Sequence, residues 1–439
     1  MDLVGAVLPG RRSRALARRT AVRRTGSLLA RSFEDFSPDA ARILRAEISA
    51  GLFITTFNVF TGPFTGLILR RDFHASPFQI ACASSAGAVF MLFSLLWIRA
   101  MRRSAPLSFV VWPGLLARAG LLLTPFIHSA WPFAGVLIMA GLMNAVAGPA
   151  YSAVVQNVYP RDQRGRALAL GRMIGSILTV ALSPLAGLLL NLLSFRIVFP
   201  AAAVVGIAGA LRQRGMRRGS SPEASQESVE WNRVIEMIRR DPSFRRLLLV
   251  SLLFGFGIWL QVPANPIMLV DVLHGTALQL GVAASVGGAL GFFSNRYWGR
   301  LVDQRASVRV LSLVYLAGAL TPLVYLIGFV LRTPWLILGT SGVDAIVSTG
   351  LDIVAMVAVM DVAGPERAVE YMGVYLTVAG VRGVIGPMLG AFVIQHGGLA
   401  GVYVVAAVVM LLASWAAARQ TRGPMPSAIP PRVPRGSMG

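Results

Sequence analysis

The feature that most constrains this chain is its alternation of long apolar runs with short breaks rich in arginine. Apolar runs of about 18 residues or more cross a bilayer. Twelve spans are predicted, at roughly 43–69, 77–98, 107–127, 131–157, 167–191, 196–211, 247–270, 277–298, 308–331, 334–361, 368–395 and 398–418. Only 14% of the residues are charged and the mean hydropathy is +0.66, whereas a soluble domain carries about 25% charged residues. The charge sits in the breaks, so a soluble protein of this length has too little polar surface to face water.

All 41 basic residues are arginine. If the amino terminus is cytoplasmic, 35 of them fall in cytoplasmic segments and four (Arg70, Arg71, Arg196, Arg332) outside, with Arg118 and Arg382 inside spans. The positive-inside rule then fixes the orientation, with both termini cytoplasmic. The net charge of +22 is accordingly a topology signal, and no nucleic-acid partner is expected. The single cysteine, Cys82, lies in an apolar run, which excludes an intrachain disulfide and argues against a cysteine metal site. No nucleophile motif, phosphate loop or His/Cys/carboxylate cluster is visible, so neither an enzyme nor a cofactor or metal is expected.

The chain also repeats itself. F-H-A-S-P-F-Q-I-A from Phe73 returns as L-H-G-T-A-L-Q-L-G from Leu273, and F-N-V-F-T-G-P from Phe57 as L-Q-V-P-A-N-P from Leu260. S-P-L-A-G from Ser183 parallels G-P-M-L-G from Gly386. Three matches in order, at offsets of 200 to 203 residues, indicate two six-helix halves of the same orientation. The expected organisation is a tail (1–41), a first bundle (42–211), a linker (212–246), a second bundle (247–418) and a second tail (419–439).

Further motifs carry a family resemblance. The segment between helices 8 and 9 reads G-R-L-V-D-Q-R from Gly299, and that between helices 4 and 5 reads P-R-D-Q-R-G-R-A from Pro160. Gly380 to Gly390 reads G-V-R-G-V-I-G-P-M-L-G. With twelve spans and the repeat, the chain resembles the major facilitator superfamily over residues 42–418. The resemblance implies an all-α membrane fold of two pseudo-symmetric six-helix bundles with a central cavity lined by helices 1, 4, 7 and 10. It departs from the family at loop 2–3, W-I-R-A-M-R-R-S-A-P, which has no acid. It also lacks the helix 4 arginine of many proton-coupled exporters and the sugar-porter signature.

Candidate site residues follow. At about 100° per residue, Ser341, Asp344, Ser348 and Asp352 share one face of helix 10. An intramembrane carboxylate facing lipid costs several kcal/mol, so Asp344 and Asp352 are expected to face inward as proton or cation carriers, or else as structural ion-pair partners. Polar stripes on the partner helices are Asn58, Thr61 and Thr65, then Asn144 and Tyr151, then Gln261 and Asn265. These either bond a solute or bond across helices. Arg382, one helix from Asp352, is either a switchable partner or anion anchor, or a permanent pair that orders the bundle. Arg118 is expected to pack or snorkel.

The resemblance implies a cytoplasmic gate in which Asp303, beside Arg300, meets Arg166 and Arg172. Arg102 and Arg103 would meet Glu366 and Glu370 in the other half. The four histidines, His74, His128, His274 and His396, fall in or beside outer loops, as ordinary surface or as a pH or metal sensor. Residues 3–33 hold eight arginines and no acid, the composition of a cytosolic tail or of a transit peptide. The terminal V-P-R-G-S resembles a protease-site remnant. The expected function is secondary transport of a small solute by alternating access, proton-coupled, with export of small amphipathic compounds as the leading subtype. Uptake of an anionic metabolite and a non-transporting receptor or accessory subunit are the alternatives. A monomer in a bacterial inner membrane is expected, an organelle membrane being the alternative site.

Overall fold

A computed structural model describes residues 38–92, 106–159, 163–216 and 231–420. The first half comprises α1 (Ala41–Arg71), α2 (Pro77–Leu92), α3 (Leu107–Phe126), α4 (Ala130–Val158), α5 (Arg164–Leu192) and α6 (Phe195–Arg212). The second comprises α7 (Pro242–Val272), α8 (Ala277–Gln304), α9 (Ser307–Leu331), α10 (Leu336–Gly364), α11 (365–397) and α12 (398–420). A short linker helix, Trp231–Arg240, precedes the second half. Among the described residues ten helices are long and apolar enough to cross a membrane.

The division between α11 and α12 is made by one residue. Gly398 (φ 72°, ψ 177°) turns the chain between α11 and α12, and Gly364 (φ 72°, ψ 170°) does the same between α10 and α11. This backbone region is open to glycine alone, so each corner needs no loop. The motif G-R-L-V-D-Q does not form a loop, as read from the sequence. It continues α8 to Gln304, because nothing between Gly299 and Gln304 breaks a helix.

The repeat is reproduced down to backbone geometry. His74 (φ 51°) and His274 (φ 48°) both occupy the left-handed region. The next residues close the same turn, Ala75 N–H donating to the Leu69 carbonyl at 2.9 Å and Gly275 N–H to that of Leu269 at 2.8 Å. Ser76 and Thr276 then begin α2 and α8 by accepting from the backbone N–H of Gln79 and Gln279, whose side chains reach back to the cap N–H at 2.8 Å in both cases. These reciprocal caps satisfy two donors that a helix start otherwise leaves bare. The S-P-F-Q and T-A-L-Q segments therefore repeat because both halves need the same helix start.

Aromatic clusters form within each half, and the first half's buried core runs on into the second through Ile267, Leu269, Ala277 and Ala283. Phe133 of α4 contacts Phe73, Phe195 and Phe199, and in the second half Phe254 stacks on Tyr315 at 4.0 Å. The halves meet through small residues. A Cβ at Gly187 of α5 would run into the Ala277 carbonyl of α8, and one at Gly281 of α8 into the Ser183 carbonyl of α5. Small residues are what let membrane helices approach this closely. The seam is laced by Ser285 Oγ donating to the Val180 carbonyl at 2.6 Å and by Ala277 N–H donating to Asn191 Oδ1 at 3.1 Å. On the other flank α2 meets α11, where Gly383 lies on Ala88 and Ser85 Oγ donates to the Val384 carbonyl at 3.4 Å. Gly386 and Gly390 of the same motif seat α11 against Trp259 and Leu260 of α7. Gly383, Gly386 and Gly390 of G-V-R-G-V-I-G-P-M-L-G thus act as packing surface.

These seams lie toward one end of the bundle, where the arginine-poor turns are. There α1 and α7 also touch, Gly66 against Pro266, and Arg70 pairs with Asp271 through two nitrogens.

Candidate functional site

Toward the arginine-rich end the halves part around a cavity of about 560 Å³, within the range of small-molecule sites. From the first half it is lined by Thr55, Asn58, Val59 and Pro63 of α1 and by Arg172, Gly175, Ser176, Thr179 and Ser183 of α5. The second half supplies Gly288 and Asn295 of α8 and Thr349 and Asp352 of α10. Val59 and Pro63 are the sole apolar side chains in this lining besides the glycines. One guanidinium and one carboxylate face the space from opposite halves. Neither Arg172 nor Asp352 forms an ion pair among the described residues.

Asp344, Ser348 and Asp352 are all accessible, at four-residue spacing along α10. A π turn at Leu351–Ala355 follows them. Asp352 and its neighbour Thr349 reach the cavity wall. Asp344 lies higher and accepts a hydrogen bond from Thr321 Oγ1 of α9 at 2.8 Å, beside the stacked rings of Tyr325 and Tyr403. No cation pairs with it among the described residues. The two carboxylates therefore share an accessible stripe but have different surroundings.

The remaining sequence candidates are placed as follows. Asn58 lines the cavity, whereas Thr61 is buried and donates to the Phe57 carbonyl at 2.8 Å. Gln261, at the position equivalent to Asn58, is 3% exposed and donates to the Gly257 carbonyl at 2.9 Å. The two equivalent amides thus do not share a cavity wall. Asn265 accepts from Tyr403 Oη at 3.2 Å. Tyr151 donates to Glu47, as does Tyr159, which fastens α1 to α4. Asn144 is exposed on α4 and not part of the cavity lining.

Arg382 is turned to α7 rather than to Asp352. Its Nη1 donates to the Ser251 carbonyl at 2.6 Å and to Ser251 Oγ at 3.2 Å, in space that a Cβ at Gly255 would fill. Arg118 is 7% exposed, donates to the Gly114 carbonyl and lies 5.3 Å from the Phe57 ring centroid. It packs inside the first bundle instead of snorkelling.

Of the expected gate, Asp303 and Arg300 are exposed at the end of α8 and Arg166 is exposed on α5. Asp303 has no ion pair among the described residues. Glu370 is half-buried on α11. Arg102, Arg103 and the side chain of Glu366 lie outside the described residues.

The pair not anticipated from sequence is Arg70–Asp271, which joins the ends of α1 and α7. Its side chains are 25% and 36% exposed, so solvent screening limits it to about 0.2–1 kcal/mol. We expect Arg70→Asp to weaken closure at this end and the double exchange Arg70→Asp/Asp271→Arg to restore it. Cross-linking yield between cysteines introduced at Gly66 and Pro266 reads the change; equal yields in single and double variants would exclude a pairing role.

Twelve membrane spans in two like halves, sealed at one end and parted around a polar cavity, define a multi-pass membrane transporter. The chain belongs to the Major Facilitator Superfamily, whose sequence profile matches residues 48–343 and 247–435. The fold is similar to that of a point mutant of the nucleoside transporter NupG, at a TM-score of 0.71 and 12% identity, covering 85% of this chain and 98% of that one. A bacterial homologue of the human lysosomal transporter Spinster, inward-facing and unoccupied, aligns at 0.59 and 13% identity over 88% and 95%. A POT family transporter in complex with a thioalcohol-conjugated peptide aligns at 0.64 and 12% over 84% and 94%. No curated protein matches the chain.

Proposed function

We propose that this protein is a proton-coupled secondary transporter that moves a small polar solute by alternating access. The carrying observation is a cavity lined from both halves and closed at one end only. The 35-to-4 arginine distribution supports placing its accessible end at the cytoplasm of a bacterial inner membrane, which makes this an inward-open state. The alternate state requires the α5–α8 and α2–α11 seams to part and the arginine-rich ends to meet. There Asp303 comes toward Arg166, while Arg172 stays in the cavity wall, and Arg102 and Arg103 come toward Glu366 and Glu370.

The cavity wall bears on the cargo. Hydroxyl and amide side chains outnumber apolar ones in its lining, which supports a solute with polar groups. Polar and apolar surface are exposed there in nearly equal amounts, so the small amphipathic compounds expected of an exporter fit it as well. An anionic metabolite remains the second reading, with Arg172, rather than Arg382, as the cation that faces the cavity. Among the similar structures are a nucleoside transporter and a POT family transporter in complex with a thioalcohol-conjugated peptide.

The test is thermal stabilisation of the purified protein across a metabolite panel, followed by proteoliposome flux of each stabilising solute under an imposed pH gradient. Solute-dependent stabilisation with proton-linked flux is expected. No stabilising solute and no flux would sink the reading.

A further inference from the structure

We propose that the cargo is zwitterionic, its anionic group bound by Arg172 of α5 and its cationic group by Asp352 of α10. This rests on the transport reading above and names the solute class for the same cavity. The argument is charge accounting during closure. In the state described both groups are exposed, and neither is paired with a protein side chain among the described residues. When the arginine-rich ends meet, water leaves, and an uncompensated charge then costs several kcal/mol.

A guanidinium keeps its proton in proteins, so Arg172 needs an anion whatever the pH. A cationic solute satisfies Asp352 and strands Arg172. An anionic solute satisfies Arg172 and strands Asp352 unless that carboxyl takes a proton. A neutral polar solute separates the two groups and pairs neither. A zwitterion satisfies both at once and, because the partners belong to opposite halves, draws the halves together. With no solute bound, Arg172 and Asp352 can approach each other, which lets the empty carrier close and return. The remaining cavity groups, Asn58, Asn295, Ser176 and Thr179, are uncharged and fit the polar body between the ends.

The coupling proton then belongs elsewhere. Asp344 is accessible on the same stripe, is held by Thr321 and has no cation partner among the described residues. The structure thus divides the work between two carboxylates: Asp352 for solute, Asp344 for the proton.

The experiment is thermal unfolding of the full chain with the twenty proteinogenic amino acids and glycine betaine. Every zwitterion that stabilises is then compared with its amide (cation) and its N-acetyl form (anion). At least one zwitterion is expected to stabilise, with both capped forms at least roughly tenfold weaker, the scale of one lost charge-assisted bond. Asp352→Asn should shift preference to the N-acetyl form and Arg172→Gln to the amide, with Arg172→Lys restoring the zwitterion. Stabilisation and counterflow confined to uncharged solutes such as uridine or glucose, or to simple anions, overturn the proposal and leave the carrier intact. So does a zwitterion whose capped forms bind equally well. Absence of flux for every solute class overturns the transport reading itself.

Discussion

Replacing Gly187 with alanine, and more strongly with valine, is expected to shift the protein away from the state described, in which α5 and α8 are closed together. A Cβ there meets the Ala277 carbonyl and the Leu278 Cα at 2.8 Å, backbone that cannot rotate away. Overpacking of this kind costs about 1–3 kcal/mol, which moves a two-state equilibrium by roughly 5–150-fold. The clash is confined to the state in which α5 and α8 are closed, so it acts on the equilibrium more than on the fold. The measurement is alkylation of a cysteine placed at Thr179, in a Cys82→Ser background, from either side of sealed vesicles. In the parent the cysteine should react from the arginine-rich side; in Gly187→Val, from the other. An unchanged side preference in a well-folded variant would refute the assignment of this seam as the closed gate, and the milder Gly187→Ala guards against simple misfolding.

Asp344→Asn is expected to abolish proton-driven accumulation while leaving solute exchange in place. Asparagine keeps an oxygen that can accept from Thr321 Oγ1, so the local packing and the hydrogen bond survive while the titrating group is lost. A one-proton carrier accumulates solute about tenfold for each pH unit across the membrane, and this gain should vanish. Counterflow, which needs no net proton movement, should continue. Asp352→Asn should do the reverse, impairing counterflow of the natural solute. If Asp344→Asn still concentrates solute against its gradient, the proton is carried elsewhere.

Much of the architecture was legible because in a bilayer the sequence rules are few. Apolar length marks the spans. The glycine-rich motif of α11 and the capping segments after His74 and His274 each had one physical reason to recur. The cavity was harder to read. Asp352 and Asn58 lie on helices expected to line it, but Tyr151 of α4 and Gln261 of α7 turn inward to their own bundle, to Glu47 and Gly257. The opposing walls come instead from α5 and α8, whose tight crossing at one end splays them at the other.

A signal for α5 was present, since Arg172, Ser176, Thr179 and Ser183 recur at helical spacing. Hydroxyls are poor witnesses, however. Thr179 donates to the Gly175 carbonyl at 2.9 Å and Ser183 to that of Thr179 at 2.7 Å. A hydroxyl that can satisfy itself on its own helix shows no preference in sequence for cavity, seam or lipid. The burial of Arg382 over Gly255 needed the third dimension, because residues 127 apart carry no shared periodicity.

The corners at Gly364 and Gly398 have a mechanical consequence. A loop of several residues is slack that lets neighbouring helices tilt separately. A single glycine leaves only its own φ and ψ as slack, so the tilts of α10, α11 and α12 are tied more closely than a longer loop would tie them. Prising α11 from α2 at the sealed end must therefore swing the arm that holds Asp344 and Asp352. On the proposed reading, a force applied at the far seam is felt where the charges are, and cargo on Asp352 would pull back on that seam through the same arm.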